Sequence, residues 1–228
     1  MNNRKLSFSG SHKDVGQQVG ELYRTWGRTS VVIPPSADMY YAEQLSTYEK
    51  YFPEYLQFLE GVALGLQVSK DDMIRSCVTA FLPMAFSNKE PHKCSVFAIK
   101  SGTKVFVGRN YDWREASEEC SKLYSVDYTD KPECGFVALT DLATWKMGGK
   151  PNPADFWIYT DEAWNNHGLF MCLNGAPDEG HGLGLSSGHT IQLIIEKCKT
   201  TQEALDLLYS LPLDSSKIFT IADKHGDF

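Results

Sequence analysis

Residues 92–113 read HKCSVFAIKSGTKVFVGRNYDW. Two runs rich in β-branched and aromatic residues, Val96 to Lys100 and Lys104 to Arg109, flank a Ser-Gly-Thr turn, which is the pattern of a β-hairpin. With the turn centred on Gly102, residues whose numbers sum to about 204 face each other. That register predicts Cys94 opposite Asn110, with Arg109 and Asp112 within a residue or two of it. A guanidinium beside a thiol stabilises the thiolate, and a nearby carboxylate orients an amine. The hairpin therefore brings a nucleophile and two charged groups to one place.

Outward from the hairpin the chain changes character near residue 90. Upstream, Val15, Val19, Leu22 and Trp26 recur at helical spacing, as do Leu56, Leu59, Val62, Ala63 and Leu66. Ser69 with Asp72 three residues on signals a helix start, running to about Leu82, where Pro83 follows. Ile33-Pro34-Pro35-Ser36 interrupts the helical pattern, and 88–93 form a polar linker, an exposed loop. Downstream, Phe136 to Leu139, Phe156 to Tyr159, Leu169 to Leu173 and Ile218 to Ala222 read as strands. Residues 189–198 and 201–210 read as helices, the second starting at a threonine cap. The expected organisation is a helical leader over 1–93 and a strand-rich core over 94–228.

Composition limits the function. The formal charge of −7 argues against nucleic acid as a partner, since phosphate binding needs clustered Lys and Arg. No window approaches eighteen unbroken apolar residues, so no membrane span is expected. The N-terminus lacks the apolar stretch of a secretory signal. Six cysteines (77, 94, 120, 134, 172 and 198) lack CxxC or CxxH spacing, which favours a reduced, cytoplasmic compartment and no metal site. No cofactor motif is found; Gly180-His181-Gly182-Leu183-Gly184 follows no phosphate-binding strand and reads as a flexible loop. Cys77, Cys172 and Cys198 sit in apolar or helical runs and read as buried packing residues.

Three features together resemble the N-terminal nucleophile (Ntn) hydrolases that cleave linear amides. They are Cys94-Ser95 before a strand with Gly108-Arg109-Asn110-Tyr111-Asp112-Trp113 after it, Asn166-His167-Gly168-Leu169 leading to Leu173-Asn174, and a helical segment ahead of the cysteine. That segment carries Gly10 to Gly16, Pro53 to Leu56 and Glu60 to Ala63. Within this group the chain is most similar to the acyl-coenzyme A:6-aminopenicillanic acid acyltransferase family, and is related to the bile-salt (choloylglycine) hydrolases and penicillin V acylases. In the bile-salt hydrolases the nucleophile follows the initiator methionine directly, and the long leader here fits the acyltransferase group better.

The resemblance implies an α+β αββα sandwich of two antiparallel sheets between helical layers. It also implies self-processing at the Lys93–Cys94 bond and a thioester on Cys94. By the same resemblance Arg109 and Asp112 surround and orient the nucleophile, Asn174 contributes to the oxyanion hole, and Tyr111 and Trp113 line the acyl pocket. The implied partner is a small-molecule amide, and a homo-oligomer is compatible with it. The family continues beyond a point matching Asp227-Phe228, so a truncated second sheet is expected.

Two other readings stand beside this one. A papain-like cysteine peptidase would pair Cys94 with His167, His181 or His189, although such enzymes place the cysteine at a helix start. A shortened, non-catalytic Ntn-like protein would keep the fold without the chemistry.

Overall fold

In the computed structural model we describe residues 5–80, 93–112, 121–131, 134–141, 146–147, 150–151, 160–175 and 182–228. The expected strand Phe156 to Tyr159, the glycine-rich loop from Gly180, His181 and Trp113 lie wholly or partly outside them.

The leader is helical, as its periodicity requires, but it begins with a strand. β1 (Lys5–Gly10) runs into α1 (His12–Thr25), whose start is fixed by a capping box. The Ser11 hydroxyl accepts from the Asp14 amide, and the Asp14 carboxylate accepts from the Ser11 amide. α2 (Ala37–Tyr51) follows the proline break, α3 (Pro53–Leu66) starts with proline in its first turn, and α4 (Lys70–Thr79) is capped by Ser69 as expected. α1 and α3 cross at very short range. A Cβ on Gly16 would stand 1.9 Å from the Phe58 carbonyl oxygen, and one on Gly61 would stand 1.9 Å from that of Lys13. Only glycine permits this approach, which brings Val15, Val19, Phe58, Leu59 and Val62 into one apolar cluster.

The core is a six-stranded sheet in the order β1, β4 (Ser121–Tyr128), β5 (Phe136–Asp141), β8 (Thr160–Asn165), β9 (Phe170–Asn174), β10 (Ile218–Ala222). Its pairs are antiparallel except the first: β1 of the leader lies parallel to β4, with Lys5 beside Leu123. β2 (Lys93–Ser101) and β3 (Lys104–Asp112) form a separate two-stranded sheet, and β6 (Lys146–Met147) and β7 (Lys150–Pro151) a minimal third. Lys93 is thus already strand, one residue inside the span expected to be linker.

α5 (Ser187–Lys197) packs on β8 and β9, and α6 (Thr201–Ser210) follows it, capped by Thr200. Asn165 donates to the carbonyls of Ile195 and Cys198 at the end of α5, both at 2.8 Å. Glu162, three positions away on the same strand, bonds instead to Arg109 of the hairpin. Residues an odd number apart on a strand point to opposite faces. Hence α5 and the hairpin cover opposite faces of the large sheet. The chain therefore has the mixed helix-and-sheet α+β architecture expected from the resemblance. Among the described residues no helix is long and apolar enough to cross a membrane.

The leader is keyed to the core by His189 of α5. Its Nδ1 lies 2.6 Å from the Tyr48 hydroxyl and its Nε2 2.8 Å from that of Tyr55. Burial holds its pKa down to about 3. A neutral imidazole has one donor and one acceptor nitrogen, so one tyrosine donates and the other accepts.

Candidate active site

The hairpin turn sets the register of the site. Gly102 has φ +61° and, with Thr103, makes a two-residue turn closed by the Ser101–Lys104 pair. A glycine with positive φ at the first turn position is the usual chemistry of a type II′ hairpin. Opposed residues therefore sum to 205, one more than the sequence suggested: Cys94 faces Tyr111, Val96 faces Arg109 and Lys93 faces Asp112. A shift of one residue exchanges the faces of a strand. In the expected register Arg109 would oppose Ser95 and lie on the face away from Cys94. In the observed one it shares the Cys94 face.

That face carries the chemistry. Arg109 Nη2 lies 3.8 Å from Cys94 Sγ and donates to the Leu173 carbonyl oxygen at 2.8 Å. Nη1 donates to Glu162 Oε2 at 2.9 Å, and the guanidinium carbon sits 4.9 Å from the centre of the Tyr111 ring. The Arg109 side chain is 3% exposed and that of Glu162 17%. Burial alone would lower the arginine pKa, but the charges of Glu162 and Asp161 outweigh it and the pKa is raised. Arg109 is therefore a fixed cation beside Cys94 Sγ. Cys172, opposite Glu162 on β9, is pushed up to about 11, first by burial and partly relieved by Arg109. It stays a thiol at neutral pH, in keeping with its reading as a packing residue. Cys77 and Cys198 are also buried.

Asn174 ends β9, one residue beyond the carbonyl that Arg109 holds. Its Oδ1 is shielded from solvent and has no hydrogen-bond partner among the described residues. Arg109 thus ties β2 and β9 together and brings the strand ends carrying Cys94 and Asn174 into one region. The backbone of Asp112 closes the hairpin opposite Lys93, while its side chain, and all of Trp113, lie outside the described residues. Tyr111 stands next to the cysteine, its ring covered by the guanidinium.

Two polar partners of the cluster escaped sequence reading. Glu162 lies on a strand, TDEAWN, with no apolar alternation to mark it, and the Leu173 carbonyl is backbone. The opposite face of the hairpin is apolar and open. Phe97, Ile99 and Phe106 are each more than half exposed, and the Phe97 ring covers Gly108, where a Cβ would meet it at 2.4 Å.

His189 and His167, the described histidines of the peptidase reading, lie elsewhere. His189 is bonded to its two tyrosines, and His167 lines a cavity of about 440 Å³ with Glu54, Lys131, Glu196 and Lys197. Among the described residues Cys94 Sγ contacts Arg109 and no histidine, and Cys94 lies on a strand rather than at a helix start.

No curated protein matches the chain. A family model, acyl-coenzyme A:6-aminopenicillanic acid acyl-transferase, matches residues 99–228, more than half of it. The match takes in Arg109, Glu162 and Asn174 and begins five residues after Cys94. With the α+β fold, it shows that the chain belongs to the acyl-coenzyme A:6-aminopenicillanic acid acyl-transferase family, a family of N-terminal nucleophile hydrolases.

Proposed function

We propose that the protein is a cysteine-nucleophile amidase or acyltransferase that exposes Cys94 by cutting its own Lys93–Cys94 bond and then acts on a small linear amide. Family membership carries the coarser part, acyltransferase or Ntn-hydrolase chemistry. The observation that carries the finer part is the buried guanidinium of Arg109 at 3.8 Å from Cys94 Sγ.

In this scheme the cut frees the α-amino group of Cys94, whose ordinary pKa of about 7.7–8.0 suits it to take the thiol proton. The thiolate attacks the amide carbonyl. The C–N bond breaks, the amine leaves with the proton, and the acyl group remains on Sγ as a thioester. Water or an acceptor amine then attacks the thioester and returns the thiol. Arg109 holds negative charge on sulfur before attack, the Asn174 amide donates to the oxyanion, and Asp112 orients the new amine. Tyr111 and Trp113 border the acyl group.

Mass spectrometry of the purified protein tests the scheme. Two fragments meeting at Lys93–Cys94 are expected from the native sequence, and an uncut chain from Cys94→Ala. A Cys94→Ala protein that splits as fast as the native one sinks the proposal.

A further inference from the structure

The structure assigns Glu162 as the residue that positions Arg109 for Cys94, and this assignment rests on the reading of Cys94 as nucleophile. Arg109 reaches the site across two sheets. Its backbone belongs to β3, whereas two groups that accept its hydrogen bonds, Glu162 Oε2 and the Leu173 carbonyl, belong to β8 and β9 of the large sheet. The carbonyl fixes Nη2, the nitrogen that faces Sγ, but a single bond leaves the planar fork free to pivot about it. Glu162 holds Nη1 as well, and two held nitrogens together with the covalent bond at Nε fix the guanidinium plane. Nε is buried without a partner among the described residues and so gives no third hydrogen bond.

The charge of Glu162 makes the idea testable by sign. Acting through space alone, a carboxylate near the site disfavours the thiolate, so its removal speeds alkylation of Cys94. Acting by positioning, its removal frees the guanidinium to leave Sγ, and alkylation slows.

The experiment is iodoacetamide labelling of the whole protein at pH 7, with Cys94 followed by peptide mass spectrometry and folding followed by circular dichroism. Glu162→Ala is expected to slow labelling about 5- to 10-fold. Arg109→Ala is expected to slow it at least as much, and the double variant no further, because Glu162 acts only through Arg109. Glu162→Gln keeps an oxygen acceptor for Nη1 and is expected to restore the native rate or exceed it. Should the alanine variant not fold, Glu162→Asp withdraws the carboxylate by one methylene and carries the same expected slowing. Labelling of Glu162→Ala as fast as native, an additive double variant, or no recovery in Glu162→Gln overturns the assignment. A native Cys94 that labels no faster than a small free thiol, and is indifferent to Arg109→Ala, overturns instead the reading of Cys94 on which it rests.

Discussion

Two polar clusters of the molecule, the anchor of the preceding helices on α5 and the group beside the hairpin, are built on opposite rules. At the anchor, His189 has both ring nitrogens bonded to Tyr48 and Tyr55, and the α1–α3 crossing nearby leaves no room for one added carbon. At the hairpin, Arg109 Nε and Asn174 Oδ1 are buried and, among the described residues, unpartnered. Unpaired buried polar atoms cost stability, so a fold keeps them where a ligand or a reaction completes them. On the proposed function the anchor serves stability and the unpaired atoms beside the hairpin serve chemistry.

By that division, variants separate into those that lose chemistry and those that lose stability. The largest effect is expected from Cys94→Ala, which should reduce hydrolysis across a panel of acyl p-nitroanilides by at least ~10³-fold. Its melting temperature should stay within a few degrees of the native value. Asn174→Ala should follow, with kcat/KM lower by about 10²–10³, the usual worth of an oxyanion donor, again with little change in melting. A large loss of stability in either variant would break the comparison from the hairpin side.

From the anchor side, Gly61→Ala forces a Cβ against the Lys13 carbonyl. Overpacking of this kind costs about 1–3 kcal/mol, or roughly 2–4 °C of melting temperature per kcal/mol for a chain of this size, and turnover per folded molecule should be unchanged.

The smallest and most specific effect is in pH. His189 has a folded pKa of about 3, below the ordinary 6.5, so the unfolded chain binds the extra proton throughout that interval. The stability linked to His189 is complete above 6.5 and is lost as pH falls towards 3. Denaturant titrations at pH 7 and pH 4 should show a larger drop for the native protein than for His189→Gln. Equal drops would remove His189 from the account.

Much of this was legible in the sequence, for reasons that differ from element to element. α3, α5 and α6 declare themselves by an apolar stripe or a cap, and the hairpin by its turn. Its register differs by one from the sequence expectation because Gly102 shares the turn with Thr103 and does not centre it. β4 was overlooked although Tyr124, Val126 and Tyr128 alternate with less buried neighbours. β8 gave no such sign: its buried Asp161 and Asn165 are polar, and Asn165 is inside because two carbonyls of the α5 end receive its amide. Glu162 could not be singled out without knowing that β3 crosses that strand. Cys94, Arg109 and Asn174 were legible through a motif; the carboxylate binding the arginine was not, because its partner lies 53 residues away.

The parallel pairing of β1 with β4 has a kinetic consequence. The Ser7 and Ser125 hydroxyls meet at 3.0 Å across 118 residues of chain. In a continuous chain that closure is a search within one molecule, slow because contacts so distant form late but indifferent to dilution. Under the proposed cut at Lys93–Cys94, the same pairing would join two molecules. Refolding would then become second order, and the midpoint of unfolding would rise with protein concentration. After such a cut the shape would rest either on a fold completed beforehand or on reassembly of two chains.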